Sequence, residues 1–189
     1  MRASNLVPAV CKCILFCFPL AALPLFAGEK VDFSIVGRIQ FTVPGEWKVI
    51  SSKSNAKQTT FAFQIENPAD EGTPDSTNLV LIAYNLNDES TKKAYQKKQS
   101  ERGPTATDGK LVDGWDCSIF SAMQGSTAYS VWDCHRTMQG SGVYVRLAWP
   151  HLAGNAPDYD EAMKRALAEV LRSVAPDSNP TWPPRGHGN

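Results

Sequence analysis

The chain has 189 residues with 19 basic and 19 acidic side chains, so its formal charge is zero. Near-neutrality gives no electrostatic reason to expect nucleic acid or an anionic membrane surface as the partner. The length suits a single domain that buries a real core without a framework of disulfides.

Residues 1–27 have the order of a secretory signal peptide: Arg2 and Lys12 in front, an apolar run from Cys13 to Phe26, then the small Ala27 and Gly28. Pro19 and Pro24 interrupt a run that is already shorter than the roughly 20 apolar residues of a spanning helix, so no stable membrane span is expected after cleavage. An uncleaved N-terminal anchor is the alternative. Cys11, Cys13 and Cys17 would leave with the leader, and no cysteine stands at the junction to carry a lipid. Removing 27 of 189 residues leaves 162, with 17 basic groups against 19 acidic ones. The mature chain is therefore expected in the periplasm or outside the cell, where the remaining Cys117 and Cys134 form a disulfide by default.

One domain is expected over 28–175, followed by a disordered tail over 176–189. Val31, Phe33 and Ile35, then Ile39, Phe41 and Val43, alternate with polar residues as in half-buried strands. Pro44-Gly45 marks a turn, with proline expected at the first central position and glycine at a positive φ in the second. Trp47 and Val49 open the next extended piece, Phe61, Phe63 and Ile65 another, and 67–77 reads as a surface loop. Leu79 to Leu86 is apolar on both parities, as in a strand covered on both sides.

Helix chemistry spans Asn87 to Arg102, with Asp88 or Ser90 as the cap and Gly103-Pro104 as the stop. Its apolar residues are Ala94 and Tyr95, so it is expected on the surface. Lys92, Lys93, Lys97, Lys98 and Arg102 make it basic, which suits a solvated face or an acidic partner. Strands follow around 115–123, 128–136 and 143–149. Asp158 to Val174 predicts a second helix, with Tyr159, Met163, Leu167, Val170, Leu171 and Val174 on one stripe. Asp158 and Glu161 resemble a capping box. The tail holds four prolines, His187 and a Trp182-Pro183-Pro184 run that could serve as a polyproline-type ligand.

The sharpest local geometry lies in 115–136. A two-residue turn at Gly125-Ser126 with glycine first favours type II′ and sets Gln124 against Thr127. Counting outward sets Cys117 against Cys134 in a non-hydrogen-bonded pair, where side chains come close enough for a disulfide. Trp115, Ile119 and Trp132 share that face. The other face sets Asp116 against His135 and Ser118 against Asp133. Serine, histidine and two carboxylates in one patch invite a nucleophile or metal reading, but short polar residues also alternate outward on any half-exposed hairpin. His151 follows a strand as an isolated loop histidine. No GxGxxG, P-loop, HExxH, GxSxG or CxxC occurs, and no cofactor or metal is expected.

The run IQFTVPGEWKV, from Ile39 to Val49, resembles the strand, Pro-Gly turn and tryptophan that open domains of the PsbP-like superfamily. That superfamily includes photosystem II extrinsic proteins, a Ran-binding nuclear import factor and bacterial DcrB-type envelope proteins. The order of helix, antiparallel strands and long C-terminal helix is similar too, while the cysteine hairpin belongs to no pattern of that family. The resemblance implies an α+β sandwich used mainly for binding or assembly, with no shared catalytic residues. The expectation is an α+β, mainly antiparallel domain carrying a surface helix and a packed C-terminal amphipathic helix. It would act non-catalytically on an unknown protein or small ligand. The rivals are a small hydrolase using Asp116, Ser118, Asp133 and His135, or His151, and an inhibitor or immunity protein.

Overall fold

The computed structural model describes residues 31–36, 39–45, 47–66, 76–103, 105–151 and 157–177. The expected leader, residues 67–75 of the expected loop, and the tail from residue 178 with Trp182 and His187 lie outside them.

Strands β1 (Val31–Val36) and β2 (Ile39–Val43) pair antiparallel. They are followed by β3 (Lys48–Ser54), β4 (Gln58–Glu66) and β5 (Ser76–Asn85), then helix α1 (Glu89–Ser100). Next come β6 (Thr107–Gly109), β7 (Asp116–Gln124), β8 (Thr127–Met138) and β9 (Ser141–Pro150), helix α2 (Pro157–Ser173), and the short β10 (Ala175–Pro176). A small sheet has the order β1-β2-β10, and a large one runs β3-β4-β5-β9-β8-β7-β6 with all neighbours antiparallel. The class is α+β and mostly antiparallel.

The turns set the registers. Gly125 alone of its turn has positive φ (61°), as type II′ requires, and the hairpin sets Cys117 opposite Cys134. Gln139 (φ 37°) and Gly140 (φ 77°) are both left-handed, the type I′ form, and this second hairpin sets Asp133 opposite Arg146. The Pro44-Gly45 turn differs from expectation. Its hydrogen bond runs from Trp47 N to Pro44 O, so proline is the first residue of the turn, and Gly45 is not among the glycines with positive φ. The loop expected over 67–77 ends earlier, since Ser76 and Thr77 are buried members of β5. Helix α2 begins at Pro157, which puts Asp158 inside its first turn rather than at the cap. Pro176, expected to open the tail, pairs with Ile39.

On one face of the large sheet, Phe61, Phe63, Leu79, Leu81, Val143, Val145 and Leu147 join Phe41 of β2 and Leu167, Val170 and Leu171 of α2 in one buried cluster. Trp115 Nε1 donates to Leu171 O at 3.2 Å, and Trp149 Nε1 donates to Asp160 Oδ1 at 2.5 Å, so two tryptophans tie the large sheet to α2. The Cys117–Cys134 disulfide (S–S 2.11 Å) lies in the same core. The opposite face carries α1. Asp88 caps that helix by accepting from Thr91 N, and Ala94 is exposed. The helix lies on the surface as expected and docks through Tyr95, which is buried, packs tilted against Tyr84 and donates its hydroxyl to Arg136 O at 2.9 Å. Gly142 makes this docking possible, because a Cβ there would stand 2.8 Å from the Tyr95 ring.

Candidate functional site

The registers of five strands line up Ser118, Asp133, Arg146, Val80 and Ala62 across the α1 face of the large sheet. The next row toward α1 is Asp116, His135, Tyr144, Ile82 and Thr60, and the row on the other side contains Phe120, Val131, Ala148 and Asn78. The four expected patch residues thus share one face, but not as an outward polar patch. Ser118, Asp133 and His135 are buried, and only Asp116 is exposed.

Burial explains what each of them does. A carboxylate taken out of water must be paired, and Asp133 accepts Arg146 Nε and Nη2 at 2.6 Å each in a bidentate pair, plus the Tyr144 hydroxyl at 2.9 Å. The aromatic rings of Phe120 and Tyr144 lie 5.8 and 5.9 Å from the Arg146 guanidinium carbon. The bond to Asp133 raises the pKa of Arg146 further, and burial followed by the Asp133 charge raises that of Tyr144. Arg146 stays a cation and Tyr144 a phenol at any physiological pH.

His135 lies under α1, with its ring 5.3 Å from Tyr144 and 6.5 Å from Tyr95, and its Nδ1 has no hydrogen-bond partner among the described residues. Burial lowers its pKa, which favours the neutral ring. Neither Asp133 nor His135 is placed for acid–base work on a substrate, the first being spent on Arg146 and the second covered. His151 joins a different group: its Nε2 is 2.5 Å from Ser130 Oγ. Among the described residues no carboxylate bonds its other nitrogen, and Ser130 sits in regular strand rather than on a sharp nucleophile turn.

Arg146 and Tyr144 are the members the pattern of polar residues does not reveal. Their signal is a lone arginine inside the apolar strand GVYVRLAWP, which demands a carboxylate, and the Gln139-Gly140 turn identifies it by counting to Asp133. Away from α1 the face is only partly covered. Val80, Ala62 and Ala148 are half-buried, and the Arg146 side chain is 38% exposed against 4% for Asp133. Among the described residues no group of three or more His, Cys, Asp or Glu side chains could hold a metal, and no helix is long and apolar enough to cross a membrane. A surface cleft of about 330 Å³ lies elsewhere, between Lys110 to Asp113 and Arg172.

No protein-family model matches the chain. No curated protein sequence matches it either. Solved structures do resemble it in fold. The Ran-binding protein Mog1p of Saccharomyces cerevisiae is 11% identical, with 79% of this chain and 96% of that one covered at a TM-score of 0.50. A protein of Bacteroides thetaiotaomicron is 14% identical at a TM-score of 0.47; the match covers 77% of this chain and 47% of that chain, about half its length. LpqN of Mycobacterium tuberculosis, involved in cell envelope biogenesis, is 13% identical over 79% of this chain and 91% of its own, with a TM-score of 0.41. The Mog1p likeness is one of fold.

Proposed function

We propose that the chain is an exported, non-catalytic recognition module that binds another protein through the open part of the α1 face. The observation that carries this reading is Arg146, half-exposed on an apolar floor yet fixed by its bidentate bond to buried Asp133. Arginine is enriched among the residues that dominate interface energies, and a side chain already held in place loses little freedom on binding. The small side chains around it let a partner approach closely. That a Ran-binding protein has this fold supports protein recognition as its use here. The expected leader and the disulfide support a periplasmic or secreted location, and the DcrB-type branch of the PsbP-like superfamily is the assignment that goes with it. In this reading amphipathic α2 closes the opposite face, and an inhibitor or immunity role would be one form of the same activity.

The test compares wild type with Ala148→Arg, which blocks the open face, and Met123→Ser at the exposed tip of the β7–β8 hairpin, each checked for folding by circular dichroism. Offered an envelope extract, wild type and Met123→Ser should retain the same partner and Ala148→Arg should lose it. Equal retention by all three would remove this face as the recognition surface. Turnover of ester, peptide, glycan or phosphate substrates that vanishes in Ser130→Ala or His151→Ala would restore the hydrolase.

A further inference from the structure

The same face restricts what its partner can be, an inference that rests on reading it as the recognition surface. We propose that the partner is a polypeptide segment that places a carboxylate on Arg146 while seating apolar side chains on Val80 and Ala148. Nε and Nη2 of Arg146 are committed to Asp133, which leaves the N–H groups of Nη1 as donors beyond that pair on a side chain that is 38% exposed. Any protein that covers this face takes the exposed end of the guanidinium out of solvent, so it must supply an acceptor or strand a charged donor. A carboxylate does so with a charge-assisted bond, stronger than that of a neutral carbonyl. A basic segment would instead meet Arg146 and, along the same flank, Lys98 over the Tyr144 ring at 5.0 Å. Val80 lies directly opposite Arg146 in its own row and Ala148 in the adjoining one, so the acid must sit among apolar neighbours rather than in an acidic run. A run of acids would leave the floor covered by charge, which costs desolvation without return.

The experiment is selection of a random-peptide display library on the folded, disulfide-bonded protein. The selected peptides are then measured against Arg146→Gln, Ala148→Arg, and a double variant carrying Asp133→Asn with Arg146→Gln. The double variant leaves no buried charge unpaired, so it keeps the test valid if the single arginine variant unfolds. The expected result is a consensus with one Asp or Glu flanked by apolar residues, weakened about tenfold or more by loss of Arg146 and abolished by Ala148→Arg. Peptides that need Ala148 but lack an acid, or bind equally without Arg146, would overturn the acidic partner and leave the open face as the recognition surface. Peptides indifferent to both positions, or no enrichment at all, would overturn both.

Discussion

His135 is the one described histidine that folding buries, at 8% exposure, and its titration links the candidate site to stability. Burial lowers its pKa; Asp133 and Asp116 oppose this, and Lys98 and Arg102 reinforce it. With the folded value below the ordinary 6.5, the unfolded chain takes up the proton more readily. The His135 contribution is therefore complete above about pH 6.5 and is lost as pH falls from there through the folded value. The urea midpoint should fall between about pH 7 and about pH 5 in the wild type, and His135→Phe should flatten that slope. The same acid slope in both proteins would assign it to carboxylates instead. Asp116, Ser118, Asp133 and His135 are legible as neighbours in the sequence because one turn sets their register. The burial of the last three is not, because it depends on Tyr95 of α1 landing on Gly142 and on Arg146 arriving from the next strand, both remote in sequence.

Hairpin β7–β8 is the element whose form was most fully legible, since Gly125 dictates the turn and the turn dictates every pair out to Asp116 and His135. Its disulfide closes a loop of sequence separation 17. Replacing both Cys117 and Cys134 by Ala should cost about 3 kcal/mol, mainly by freeing the unfolded chain. Guanidinium unfolding of the double variant measures this, and a loss well under about 1 kcal/mol would mean that strand pairing and the Trp132 contacts already hold the hairpin. Other elements were less readable for a common reason. The two residues of β10 and the three of β6 are too short to show a period, and each becomes a strand only because a neighbour offers a free edge. Helix α1 was legible from its cap and stop and lies on the surface as expected, but the docking of its one buried aromatic, Tyr95, was not, because a single tyrosine among lysines carries no visible stripe.

At the scale of the whole molecule, strand alternation predicts the antiparallel class, yet nothing in it states that there are two sheets or that α2 joins them. That information sits in contacts between distant segments: Phe41 of β2 packs edge-on to Phe61 and Phe63 of β4 at 6.0 and 6.2 Å, and Ser173 Oγ accepts from Thr42 N at 2.9 Å. Because β2, α2 and the large sheet share one buried cluster, they should unfold as one cooperative unit. Phe41→Ala tests this, since it removes a 2% exposed ring at the junction and should cost about 3–5 kcal/mol. In a Trp47→Phe, Trp182→Phe background, tryptophan fluorescence reports Trp115, Trp132 and Trp149 of the large sheet and its border, while far-ultraviolet circular dichroism reports all elements together. The two probes should give coincident transitions in that background, and both midpoints should move together when Phe41→Ala is added. If the fluorescence transition stays in place while part of the dichroism signal is lost early, the small sheet is an independently melting flap, and the recognition face rests on the seven-stranded sheet alone.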